Sequence, residues 1–168
     1  IKCSRSGISL EIIGGEVKEI KDSPSMGTSV EVTDLFFNTP ARKKFLKSNS
    51  TEVFHIIDIV TKEALSHWDM GFKLISDNKE TMSVPFSSGP KERIMQVYGE
   101  EFLNSLIEAV AEAEGIKMIS YVTKGDNFRN MKSHQFIFIN RRPIRDQSSA
   151  HAVYQAYEGI LPRDRHPI

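Results

Sequence analysis

Residues 27–48 read GTSVEVTDLFFNTPARKKFLKS, and their reading decides the fold. In the first half Thr28, Val30 and Val32 alternate with Ser29, Glu31 and Thr33, the period-two pattern of a strand with one buried face. In the second half Asn38 or Thr39 can cap a helix. Pro40 then suits the first helical turn, where its missing N–H costs nothing. The spacing predicts a strand over 28–33, a sharp turn, and a short helix over ARKKFL. That helix is basic: Arg42, Lys43, Lys44 and Lys47 stand between Asn38 and Ser50, with no acid among them.

Working outward, GISLEIIGGEVKEI before this stretch predicts a hairpin turning at Gly14-Gly15. After it, Asn49 or Ser50 can cap a longer helix in which Val53, Ile56, Ile57, Val60, Ala64 and Trp68 keep helical spacing. FKLISDNKETMSV predicts a second hairpin with Asp77-Asn78 at its turn. PFSSGP, residues 85–90, has the composition of a linker. Beyond it comes a short helix stopped by Gly99. EFLNSLIEAVAEAEG reads two ways. Ala and Glu favour helix throughout, while the alternation after it favours a short helix to about Leu106 and then a hairpin turning at Glu114-Gly115, which is the expectation. Residues 124–133 read as a polar loop, HQFIFIN as a strand and RRPIRD as a turn or short strand. SSAHAVYQAY reads as a helix ended by Gly159 and Pro162. The order of elements predicts an α+β fold in two lobes, divided near residue 87.

Composition narrows the function classes. At 168 residues, 39% hydrophobic and 26% charged, the chain is that of a folded globular protein rather than a disordered one. Lys plus Arg equals Asp plus Glu at 22 each, so a polyanionic partner must be read from local clusters. The single Cys3 cannot form an internal disulfide, as a reducing compartment would permit. The chain starts without Met in a strand-like pattern and stops just after a helix, so a fragment of a longer protein is expected.

Two stretches could carry chemistry. One is the basic helix above. The other runs from Asn127 to Arg145 and holds Arg129, Lys132, Arg141, Arg142 and Arg145, again with no acid. A guanidinium can bond two phosphate oxygens and stays charged, so such clusters suit nucleic acid. Lysines on a helix are as often solvated surface. Three arginines within five residues, following an apolar strand, sit on a rigid element and point more strongly to a partner. The five histidines are scattered without metal-ligand spacing, and no nucleophile-elbow or phosphate-loop motif is present. Pattern alone stops at an α+β protein with two basic patches.

The opening stretch closely resembles the signature of the MutL family of DNA mismatch-repair proteins. The matching positions are Gly27, Thr28, Val30, Val32, Leu35, Phe36, Asn38, Thr39, Pro40, Ala41, Arg42, Lys44, Phe45 and Leu46. FINRRPIRD, followed by Ala152 and Ala156-Tyr157, is similar to a second family block, with Arg141 where the family usually has Gly. LPRDRHP is similar to the stretch after it. The resemblance implies an ATPase of the GHKL class (the gyrase, histidine-kinase and MutL group). Residues 1–86 would form the C-terminal part of the ATP-binding domain, and residues 87–168 a truncated transducer domain like domain 2 of ribosomal protein S5. Gly27 and Thr28 would belong to the last ATP-site motif, where a Thr hydroxyl can donate and accept near the adenine. Arg141, Arg142 and Arg145 would contact DNA phosphates with weak sequence preference.

The same resemblance places the catalytic Glu, the magnesium-holding Asn, the adenine-binding Asp and the glycine-rich lid upstream of this chain, and the phosphate-contacting Lys downstream. ATP and magnesium are therefore expected for the intact protein, but neither tight ATP binding nor hydrolysis by this chain alone. The expected partners are DNA, a MutS-type mismatch-recognition protein, a strand-incising endonuclease, a helicase and a second MutL-type subunit, with no membrane. The expected place is inside the cell, cytoplasmic or at the nucleoid in a bacterium and nuclear in a eukaryote. An alternative is a freestanding nucleic-acid- or partner-binding module of S5-like fold without ATPase activity. In a plainer reading both basic patches are solvated scaffold surface.

Overall fold

The computed structural model describes residues 6–24, 26–124, 128, 134–162 and 165–167. Two compact units emerge, Ile1–Ser48 and Asn49–Ile168. Arg129 and Lys132 of the second basic stretch lie outside the described residues.

In the first unit β1 (Ser6–Ile13) pairs antiparallel with β2 (Glu16–Pro24), with Leu10 opposite Ile20 and an irregularity between Glu11 and Ile12. Gly14 and Gly15 make the turn at φ +62° and +91°, where a side chain would be strained. Ile8 and Ile20 remain 73% and 65% exposed, so nothing among the described residues covers them.

The strand expected over 28–33 does not form. Alternation marks which side of a strand is apolar, but a strand also needs a partner for its N–H and C=O groups. No ladder partner for 28–33 stands among the described residues, and Val30 and Val32 stay exposed. The chain then turns through Asp34 and Phe36, both at positive φ, with the Phe37 N–H donating to the Asp34 carbonyl at 2.9 Å. Helix α1 (Pro40–Lys43) follows, with Pro40 in its first turn as expected. Its cap position is Thr39, yet the Thr39 side chain makes no capping bond. Instead the Thr39 carbonyl accepts from the Arg42 and Lys43 N–H groups at 2.9 and 3.2 Å.

The second unit opens with α2 (Asn49–Ser66), then the hairpin β3 (Phe72–Ser76) and β4 (Lys79–Val84) turning at Asp77-Asn78, both at positive φ. Helices α3 (Pro90–Tyr98) and α4 (Glu100–Asn104) meet at Gly99, whose φ of +87° ends one and starts the other. Hairpin β5 (Leu106–Ala113) and β6 (Ile116–Thr123) turns at Glu114-Gly115. A short hairpin, β7 (Ile137–Ile139) and β8 (Arg142–Ile144), leads to α5 (Gln147–Ala156), whose Asp146 cap accepts from the Ser149 N–H at 2.7 Å. Four antiparallel ladders and five helices among the described residues make the α+β fold that the element order predicts. Ala64, Val84, Leu106 and Tyr157 are buried. Among the described residues no helix is long and apolar enough to cross a membrane.

Compactness divides the chain at Ser48/Asn49, whereas composition divides it at 86/87. The expected linker at 85–90 is a packed joint inside the second unit, with Ser87 only 1% exposed.

Candidate functional site

Three segments of the second unit converge on the corner at residues 68–70, just after α2. The helix ends as the His67 N–H donates to the Glu63 carbonyl at 2.9 Å, and the Met70 N–H to the His67 carbonyl at 3.0 Å. This bend leaves the Trp68 and Met70 carbonyls without helical partners. Arg93, on α3, takes them. Its Nη2 donates to the carbonyls of Trp68 at 2.9 Å, of Met70, and of Pro85 at 2.9 Å. Ser87 adds a second tie, its N–H and its hydroxyl each 3.0 Å from the Trp68 carbonyl.

Arg93 is fully buried, with its guanidinium 5.8 Å from the Phe72 ring centre, and burial lowers its pKa. A guanidinium stays charged in proteins even so, and a buried charge needs acceptors. Here the acceptors are carbonyls rather than a carboxylate. Nε and Nη1 of Arg93 have no partner among the described residues. At the start of α3, Glu92 accepts from both the Ser88 N–H and hydroxyl at 2.7 Å, which hold its carboxyl below its ordinary range.

The third segment is the β7–β8 hairpin. Its two-residue turn, Asn140-Arg141, has φ values of +49° and +66°, the left-handed pair that a tight hairpin requires. This turn sends Arg141 back to the corner. Its Nη1 lies 2.8 Å from both carboxylate oxygens of Asp69, and its guanidinium is 5.2 Å from the centre of the Trp68 ring. The Arg141 hydrogen bond holds the Asp69 carboxyl below the usual carboxylate range. Arg142 and Arg145 are exposed and have no acidic partner among the described residues. Arg141 and Arg142 thus share one hairpin and Arg145 directly follows it, but Arg141 is engaged by Asp69 while the other two meet no acid among the described residues.

Gly27 and Thr28 belong to the first unit. Gly27 has φ +95°, and nothing lies within 4 Å of where a Cβ would stand. Thr28 is exposed, as are Arg42, Lys43, Lys44 and Lys47. Among the described residues no cluster of His, Cys, Asp and Glu could hold a metal ion. Ser66, His67 and Glu63 lie together, but Ser66 Oγ at 2.8 Å and the Glu63 carboxylate at 3.4 Å share the same His67 Nδ1. A nucleophile–base–acid relay needs the two ring nitrogens separately, so this is not one. Sequence reasoning missed Arg93, Ser87 and the corner. Nothing in a helix of mixed charge marks one arginine as buried, and carbonyl acceptors leave no mark in residue identity.

Known proteins are similar to this chain. A family described as DNA mismatch repair protein, C-terminal domain, matches residues 94–168. DNA mismatch repair protein MutL of Endomicrobium trichonymphae is 38% identical over 99% of this chain, which spans 28% of that protein. MutL of Geobacter sulfurreducens is 37% identical over 98% of the chain, which spans 27% of it. Among solved structures, the Aquifex aeolicus MutL ATPase domain complexed with ADP aligns at a TM-score of 0.68 and 29% identity, covering 89% of this chain and 57% of that one. The N-terminal domain of a DNA repair protein aligns at 0.77 and 18% identity, covering 99% of this chain and 55% of that one, a likeness of fold.

Proposed function

Because the chain belongs to the MutL family of DNA mismatch-repair proteins, we propose that it is the part of an ATP-dependent repair protein that joins the nucleotide site to a DNA-binding surface. The observation that carries this reading is the likeness, at 29% identity over 89% of the chain, to an ATPase domain complexed with ADP. In this proposal residues 1–86 close the nucleotide-binding domain and residues 87–168 begin an S5-like transducer. The corner at 68–70 then ties the end of the first to the start of the second.

Gly27 and Thr28 contribute one edge of the nucleotide site. The exposed Thr28 side chain fits an approaching ligand. ATP with magnesium serves the intact protein, and the groups that hold the metal and activate water are supplied outside this chain, which alone turns over no ATP. The protein acts as a matchmaker between a MutS-type mismatch-recognition protein and a strand-incising endonuclease and helicase. It works with a second MutL-type subunit wherever chromosomal DNA lies.

Arg142 and Arg145 are the phosphate contacts of this segment, supported by their exposure and lack of acidic partners. In the intact protein, Arg142→Glu with Arg145→Glu weakens duplex binding and reduces the steepness of its salt dependence by about 2 on log–log axes. Unchanged affinity at low salt would remove both from the DNA surface. Thr28→Val weakens ADP binding in the intact protein, and unchanged affinity would remove Thr28 from the nucleotide site.

A further inference from the structure

We infer that Arg141 is a positioning residue: its bond to Asp69, made beside the Trp68 ring, fixes the β7–β8 hairpin and so aims Arg142 and Arg145. The geometry stands by itself, while the consequence for DNA rests on the function proposed above. Arg141 and Asp69 are 72 positions apart, so the contact closes a long loop rather than decorating one element. The hairpin it closes has three residues in each strand. A two-stranded ladder of that size is marginal and needs an anchor. One anchor is α2, against which β8 lies. The other is Asp69, on the corner that Arg93 and Ser87 already hold.

Charge argues against Arg141 as a free phosphate contact. The Asp69 carboxylate beside its Nη1 cancels the attraction that the guanidinium would offer a second anion. Arg141 also occupies a left-handed backbone position that non-glycine residues seldom adopt, and surrounding contacts must hold it there. The bond to Asp69 and the Trp68 ring are such contacts. Arg142 follows Arg141 directly and opens β8, paired with Ile139, and Arg145 follows the strand's last residue. Their directions are therefore set by how the hairpin sits.

Asp69→Asn separates the two roles by sign, since it removes an acid without changing shape. Were Arg141 a phosphate contact restrained by Asp69, the change would tighten DNA binding. As a positioning tie, its loss loosens the hairpin and weakens duplex binding about threefold at low salt, despite the gain in net positive charge. Hydrogen exchange in the intact protein gives the second readout. Amides of β7 and β8 exchange about threefold faster in Asp69→Asn, while those of β3 and β4 do not change. Arg141→Lys, which keeps the charge and loses the planar group, falls between wild type and Asp69→Asn in both measurements. Tighter or unchanged DNA binding in Asp69→Asn, or unchanged exchange in the hairpin, overturns the inference. If Arg142→Glu with Arg145→Glu also leaves binding untouched, the DNA reading itself has failed. If that double reversal weakens binding and Asp69→Asn does not, only the positioning role has.

Discussion

Arg93 and Arg141 reach the same corner of the molecule and hold it by opposite means. Arg93 is fully buried and bonds three backbone carbonyls, with no carboxylate among its partners. Arg141 is partly exposed and bonds one carboxylate, with side-chain exposures of 44% for Arg141 and 36% for Asp69. Solvent explains the difference. A buried cation cannot trade its acceptors for water, so its ties are permanent while the fold lasts. A surface pair trades readily with water and salt, so it holds weakly and releases under conditions that leave the core intact. The corner therefore has a fixed joint on one side and a releasable tie on the other.

The hardest test of that contrast is Arg93→Met, which leaves the Trp68, Met70 and Pro85 carbonyls short of a donor. It lowers stability by about 3 kcal/mol, read by denaturant unfolding of the intact protein. A loss below about 1 kcal/mol would mean that water replaces the guanidinium easily and that the joint is no more permanent than the surface tie. Ser87→Ala removes one of three donors to the Trp68 carbonyl, so about 1 kcal/mol is expected in the same experiment.

Salt sharpens the comparison next. Raising ionic strength to 1 M removes most of the hydrogen-exchange difference between wild type and Asp69→Asn, and leaves the Arg93→Met deficit in place. Equal sensitivity of the two would erase the distinction. The smallest effect is that of pH. The folded-state pKa of Asp69 lies below its ordinary 3.8, so its contribution is complete above that value and is lost as pH falls through the folded pKa. Extra hairpin exchange, after correction for the intrinsic rate, should appear only in that acid window. Its appearance near neutrality would implicate a different group.

The sequence was most legible where structure is local. Gly14-Gly15, Asp77-Asn78 and Glu114-Gly115 each mark a turn between apolar runs, and each sits in a hairpin at positive φ. Pro40 and Gly99 mark a helix start and stop for the same reason, since backbone limits are written in residue type. Legibility failed where a partner distant along the chain decides the outcome. Residues 28–33 alternate like a strand but find no ladder partner among the described residues. PFSSGP has the composition of a flexible linker, but Ser87 and Arg93 bond residues 19 or more positions earlier through carbonyls that every residue possesses. Of the expected DNA contacts, the sequence could place Arg141, Arg142 and Arg145 close together, in and just after one hairpin. It could not show that Asp69 had already claimed the first.

The corner also has an optical consequence. Trp68 is the single tryptophan of this chain. Its carbonyl lies in the buried joint, and its indole ring lies 5.2 Å from the Arg141 guanidinium. A cation beside an indole perturbs the excited state, so emission from this one chromophore registers whether the releasable tie is closed. The protein thus carries its own unlabelled gauge, placed where the fixed and the movable parts of the molecule meet.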